Sequence, residues 1–385
     1  MERVLEILKE IIKELKSEFL ERDEVIDGSV CALLTSNHVL ILGPPGTAKS
    51  QLSNELCSRI EGAEYFHWLL TKFTTPEEIF GSVSLKGLEN DEYRRITTHK
   101  FPESHIAFLD EIFKASSSIL NSLLTAVNER IFFNGTQKYV IPLISLFGAS
   151  NELPAEDDEL DALYDRFMLR YAVGYIKEDF RFLKMVQASE KGAGNTSLSL
   201  DELMQLKRMV EDVKIPPTIY KIVLKIRTEL GRKGIILSDR RYKNSFNLIK
   251  AHALIKSRVM VDEDDLMILE HVLWRDPGEI AEVKSIIYKC LYGYRETLKE
   301  LLVNAQEIES YSRQDWEDQE TRVKANIEAQ TKLKMIISKV DDITNELTDR
   351  GKPLEEVQEI RDKIDKLQKK ILDSMINSEQ SRIQN

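Results

Sequence analysis

Val39-Leu40-Ile41-Leu42 runs directly into Gly43-Pro44-Pro45-Gly46-Thr47-Ala48-Lys49-Ser50-Gln51, an apolar stretch that delivers the chain to a glycine-bounded loop ending in lysine and serine. This order predicts a buried strand, a phosphate-binding turn and a helix that opens near Lys49. Backbone N–H groups in a turn loosened by Gly43 and Gly46 converge on phosphate oxygens, and the positive end of the helix dipole adds to them. Lys49 supplies a mobile charge for the terminal phosphates, and the Ser50 hydroxyl is a ligand for Mg²⁺. Position 48 departs from the pattern G-x-x-x-x-G-K-[ST], because Ala48 stands where the last glycine is expected. Its methyl group is tolerable if φ there is negative. A plain glycine turn before a helix accounts for Gly43 and Gly46 but not for the ordered Lys-Ser pair, so residues 43–51 read as a nucleotide site.

Further along, Ile106-Ala107-Phe108-Leu109 precedes Asp110-Glu111. An apolar run of this kind suits a strand buried on both faces of a parallel sheet, with the two carboxylates at its C-terminal end, where open α/β folds bind ligands. Asp110 is positioned to hold Mg²⁺ through water, and Glu111 to polarise an attacking water as general base. Alone, the segment is an ordinary core strand with an acidic end; paired with Lys49 it completes a hydrolytic site. A third run, Leu143-Ile144-Ser145-Leu146-Phe147-Gly148-Ala149-Ser150, ends in Asn151, an amide able to contact a γ-phosphate or orient the water. Arg166 and Arg170 follow four residues apart, so a short helix shows both on one side. An arginine offered to a neighbouring subunit's γ-phosphate stabilises transition-state charge.

These elements in this order resemble the AAA+ ATPases, and in detail the MoxR family, especially its RavA-like members. The stretches that carry the resemblance are GPPGTAKS (43–50), TTPEEIFGSVSLKGL (74–88), HIAFLDEIFKASSSILNSLLTAVNER (105–130), LFGASNELP (146–154), ALYDRFMLR (162–170) and LSDRR (237–241). The resemblance implies Lys49 and Ser50 in Walker A, Asp110 and Glu111 in Walker B, and Asn151 as sensor 1. It implies Arg166 as arginine finger with Arg170 as rival, and Arg240 as sensor 2 with Arg241 as rival. In such folds a helical lid bends back over the nucleotide, from which Arg240 reaches the phosphates. The segment from Phe80 to Pro102 resembles the helix-2 insert, a hairpin near the ring pore, which makes Leu85, Leu88 and Tyr93 candidates for touching substrate. A second hairpin is expected from Arg130 to Val140, with Asn134-Gly135 as its turn. The family also implies ATP and Mg²⁺, a homo-oligomeric ring of hexameric type, and a von Willebrand factor A domain partner. The client protein is not readable from the sequence.

At 385 residues, with 42% hydrophobic content, the chain is long enough for two or three domains of ordinary globular composition. We expect an αβα nucleotide-binding domain at 1–192, a helical lid at 193–285 and a helical arm at 286–385, with the Gly-Ala-Gly-Asn run at 192–195 marking the first boundary. The lid helices are expected at 201–213, 217–231, 239–259 and 262–273, with Ser199 or Asp201 capping the first and the acidic run Asp262 to Asp265 capping the last. In the arm, Leu333, Ile336, Val340, Ile343 and Leu347 step by three and four, and the pattern resumes from Leu354 to Ile371 after Gly351 and Pro353. Two such stripes fold into an antiparallel hairpin. RavA-like proteins carry a β-rich insertion in that hairpin; here only a few residues join the helices.

A net charge of −11 opposes attraction to polyphosphate chains and argues against a nucleic-acid partner. Cys31, Cys57 and Cys290 are too far apart in sequence for a zinc or dithiol motif and read as buried apolar packing. No stretch reaches the ~18 apolar residues of a membrane span. Leu5, Leu8, Ile12, Leu15 and Phe19 recur at helical spacing among charged residues, so the N-terminus reads as an amphipathic domain helix, not a leader, and the expected location is cytoplasmic. The fold class expected is α/β: a doubly wound parallel-sheet P-loop domain of AAA+ type, then an all-helical lid and a C-terminal helical hairpin arm. The function expected is Mg-dependent ATP hydrolysis driving chaperone-like remodelling or metal-cofactor insertion. The alternatives are a nucleic-acid-stimulated motor and a nucleotide-gated assembly scaffold.

Overall fold

The computed structural model describes residues 2–153, 158–187, 196–314 and 319–383, so the expected boundary at 192–195 lies outside the described residues. The chain gathers into two compact units, one of Met1–Ile219 with Leu230–Lys284 and the other of Tyr220–Glu229 with Ser285–Asn385.

In the first unit the three apolar runs form strands of one five-stranded sheet: β1 (His38–Leu42), β2 (Tyr65–Leu69), β3 (Ile106–Asp110), β4 (Ser145–Ser150) and β5 (Phe167–Ala172). All neighbours pair in parallel, in the order β2-β3-β4-β1-β5. Every residue of β1 and β4 is buried, as expected of central strands covered by helices on both faces. Because β4 lies between β1 and β3, the three C-terminal ends that carry the loop, the amide and the acidic pair stand side by side. This is the topological reason why motifs distant in sequence share one site.

Two insertions leave this scaffold. At 82–96 the chain makes an antiparallel excursion pinned by the Val83–Arg95 bridge, with a short helix, Leu85–Leu88, at its tip. The expected hairpin is therefore a bridge and a helical turn, because Ser84 caps that turn by accepting the Gly87 N–H at 3.2 Å. Leu85, Leu88 and Tyr93 are exposed. The second insertion is a regular hairpin, Ile131–Asn134 with Gln137–Val140, and Asn134 pairs with Gln137. The turn is thus Gly135-Thr136, one residue later than expected. Asn134 is spent elsewhere: its Oδ1 accepts the Arg95 N–H at 2.5 Å and its Nδ2 donates to the Arg95 carbonyl at 3.0 Å, so one amide splices the two insertions together.

The lid helices are Leu200–Asp212, Pro217–Arg232 and Asp239–Ile255, followed by a 3₁₀ segment, Glu263–His271, where an α-helix was expected. Ser199 makes a capping box with Glu202, and Asp262 makes one with Asp265, so both acidic starts serve as caps. In the second unit, the helices Tyr294–Ser312, Gln319–Asp349 and Glu355–Ile383 pack around Leu298, Leu333, Val340, Val357, Ile364 and Ile371. Each fully buried aliphatic there contributes roughly 1.5–3 kcal/mol by area. The last two helices are antiparallel, since Gln330 reaches the Gln368 carbonyl and Arg361 pairs with Asp341 at 2.9 Å. Gly351, at φ 65°, makes the turn between them. The three cysteines are buried and unpaired. Among the described residues no helix is long and apolar enough to cross a membrane.

Candidate active site

The loop after β1 is packed tightly against β5. A Cβ on Gly43 would fall 2.2 Å from the Val173 carbonyl oxygen, so only glycine lets the two strand ends meet. The helix Lys49–Ser58 then starts with no side-chain cap, which leaves its first N–H groups free for an anion. Ala48 does not have the negative φ that its methyl group prefers; it sits at φ 61°, ψ 25°, in the left-handed region. That conformation costs an alanine about 1–2 kcal/mol, and glycine escapes it at the expense of about 0.4–1 kcal/mol of unfolded-state entropy. Ala48→Gly is therefore expected to raise the denaturation midpoint slightly, and a clear fall in that midpoint would contradict a left-handed residue 48.

Lys49 is buried and points back over its own loop. Its Nζ donates to the carbonyls of Gly43 at 2.6 Å and Pro44 at 3.0 Å and to Asn151 Oδ1 at 3.3 Å. Burial pulls this ammonium below its ordinary pKa, while Asp110 and Glu111 pull it up. Asn151 Nδ2 in turn donates to Glu111 Oε1 at 2.6 Å. One amide therefore bridges the lysine of the loop and the second carboxylate beyond β3. Glu111 itself adopts φ 51°, ψ 43°, another left-handed residue at the same site, and its N–H donates to Asp110 Oδ1 at 3.0 Å. Strain of this kind persists where surrounding structure enforces it. Asp110, with Ser50 at the start of the neighbouring helix, offers oxygen donors of the hard type that suits Mg²⁺. Thr47 is turned inward, its hydroxyl donating to the Pro44 carbonyl at 2.9 Å.

Beside Val173, and so beside Gly43, opens a cavity of about 500 Å³ lined by Arg22, Val173, Gly174, Tyr175, His271 and Trp274 among others. Burial lowers the His271 ring to about 3, so it is neutral at pH 7. Glu24, Glu270 and His271 converge there, and Lys284 Nζ, 3.0 Å from Glu270 Oε2, provides the positive charge that the buried carboxylate needs. Nothing in the spacing of Arg22 or His271 marked them in the sequence.

The arginines stand elsewhere. Phe167 pairs with His38, so Arg166 lies at the entrance of β1, the opposite end from Lys49. It shares a cavity of about 150 Å³ with Ser36, His38, Arg130 and Arg240, and its Nε and Nη1 are buried without a hydrogen-bond partner. Arg240 is thus not brought to the phosphate loop of its own chain, contrary to the lid geometry expected from sequence. The rivals differ in burial. Arg170, 1% exposed, donates to the carbonyls of Trp274 and Tyr164, stacks on the Tyr164 ring at 3.9 Å and is pushed by burial down to about 9. Arg241, equally buried, is consumed by the carbonyls of Asp165, Phe167, Met168 and Val272. Neither is free to reach another molecule, whereas Arg240 is exposed and Arg166 only partly covered.

The strand order, with a lysine-serine loop beyond β1 and an acidic pair beyond β3, defines a P-loop protein of the AAA+ ATPase class. A crystal structure of a candidate ATPase from Cytophaga hutchinsonii shares this fold, with a TM-score of 0.59 at 19% identity over 75% of this chain and 94% of that one. Residues 6–208 match the model of the MoxR domain in the MoxR-vWA-beta-propeller ternary systems, and residues 218–287 match an AAA lid domain. The chain belongs to the MoxR family of AAA+ ATPases. Among its relatives is the uncharacterized protein MJ0812 of Methanocaldococcus jannaschii, 37% identical over 94% of this chain and 98% of that one. Another protein of the same organism, MJ0079, is 42% identical over 77% of each chain. The chaperone MoxR1 of Mycobacterium tuberculosis is 28% identical over 44% of each.

Proposed function

We propose that this protein hydrolyses ATP with Mg²⁺ in a ring of identical subunits and uses the cycle to remodel client proteins in a chaperone-like way. The observation that carries the reading is the Asn151 amide joining Lys49 to Glu111. Lys49 and the uncapped helix start at Ala48 would bind the β- and γ-phosphates, with Gly43 to Gln51 as the cradle. The 500 Å³ cavity beside Gly43 is large enough for the nucleoside. Ser50 and Asp110 would hold Mg²⁺, which neutralises phosphate charge when bound. Glu111 would take the proton of the attacking water, and Asn151 would orient that water or the γ-phosphate.

Arg166 and Arg240 share a cationic cavity at the entrance of β1, at the end of the strand away from Lys49, so they would serve the phosphates of a neighbouring subunit as arginine finger and sensor 2. We take the ring to be hexameric and the domains to divide at 1–192, 193–285 and 286–385, in the RavA-like manner, with the arm free of the β-rich insertion. The family description supports a von Willebrand factor A domain partner, and the chaperone among the relatives supports remodelling. Metal-cofactor insertion is the narrower form of the same role, and the location is cytoplasmic.

Isothermal calorimetry tests the first step. Lys49→Ala removes charge-assisted hydrogen bonds worth ~1.5–3 kcal/mol, so Mg·ATP affinity is expected to fall by roughly 10- to 100-fold. ATPase activity per chain should also rise with protein concentration; a dilute monomer as active as the assembly would refute the ring.

A further inference from the structure

We propose that Lys114 holds Glu111 in a resting orientation and thereby restrains ATP hydrolysis. The inference rests on Glu111 being the general base. Both oxygens of that carboxylate are engaged: Oε1 accepts from Asn151 at 2.6 Å, and Oε2, buried and without a hydrogen bond, lies 3.2 Å from Lys114 Nζ. Lys114 closes the 3₁₀ turn Ile112–Lys114 that follows Glu111, and its own N–H donates to the Glu111 carbonyl at 2.8 Å. The turn therefore brings the Lys114 side chain back to the carboxylate, and Glu111, left-handed at φ 51°, stands outside the strand that ends at Asp110.

Among the described residues, charged groups around Glu111 include Asp110 beside it, Lys49 across the amide, and Lys114. Their duties differ. Lys49 faces the loop carbonyls and Asn151, the same side from which phosphates arrive. When substrate draws Lys49 and Asn151 toward its oxygens, Oε1 is released, and Lys114 remains as the group that still occupies the base. A base must present a lone pair to water, and an ammonium at 3.2 Å competes for it. Lys114 is 46% exposed, so replacing it leaves the core untouched.

The test compares steady-state kinetics of Lys114→Met, Lys114→Arg and the parent assembly. Lys114→Met, which keeps the length and removes the charge, is expected to raise kcat by about threefold or more, in keeping with one partly exposed ion pair, while KM for ATP stays within about twofold. Lys114→Arg should return kcat to the parent value. A kcat for Lys114→Met equal to or below the parent, with an unchanged unfolding midpoint, overturns the proposal. If the methionine variant unfolds early, Lys114→Gln replaces it under the same criteria. Glu111→Gln is run alongside: full turnover there refutes the base itself, whereas an inactive Glu111→Gln with an unaltered Lys114→Met refutes only the restraint.

Discussion

Glu111→Gln is expected to abolish turnover and to leave Mg·ATP bound. The substitution preserves shape, so the amide can still accept the Asn151 N–H and the backbone at φ 51° is unchanged. What is lost is the ability to accept a proton, and general-base catalysis of this kind contributes about 10²–10⁴ in rate. On the proposed reading affinity is set elsewhere, by Lys49 and the helix start at Ala48, so calorimetry should give a Kd for Mg·ATP within about threefold of the parent. A rate loss below about tenfold would assign proton removal to another group and leave Glu111 as a neighbour of the acid Asp110. A variant that is inactive and still holds ATP would also make copurification of the ATP-bound form the direct way to find a client.

The parts of this molecule that could be read in advance are those where one residue type has one physical use. A strand, two glycines and a Lys-Ser pair admit few alternatives, and the buried run before Asp110-Glu111 could only be a central strand; both lie where expected. The arm was equally legible, since stripes at helical spacing must be buried and Gly351 must turn. What could not be read depends on which end of a strand a residue faces. Four arginines, at 166, 170, 240 and 241, look alike in sequence, yet Arg170 and Arg241 are consumed by buried carbonyls while Arg166 and Arg240 stand at the entrance of β1, away from Lys49. Ala48 misled for a local reason: the turn needs a left-handed residue there, and the sequence supplies an alanine that bears the cost. Lys114 was within view, three residues beyond Glu111, but only the turn between them shows that they meet.

Arg166→Ala is expected to lower turnover by about 10³–10⁵ if the arginine acts as a finger on a neighbouring subunit's phosphates. The loss alone does not distinguish that role from a local one, since Arg166 also lines a cavity of its own chain with His38 and Arg130. Mixing does. A subunit carrying Arg166→Ala keeps Lys49 and Glu111, and a subunit carrying Glu111→Gln keeps Arg166. In a randomly mixed ring of head-to-tail contacts, about a quarter of the interfaces join the intact base of one to the intact arginine of the other. Two inactive preparations should therefore regain a substantial share of parent activity on mixing. No recovery, under conditions where native mass spectrometry shows mixed assemblies, would confine Arg166 to its own chain. Mixing Arg240→Ala with Glu111→Gln extends the same logic to the second arginine: recovery there requires that Arg240 also works across the interface, which its place beside Arg166, at the far end of β1 from Lys49, leads us to expect.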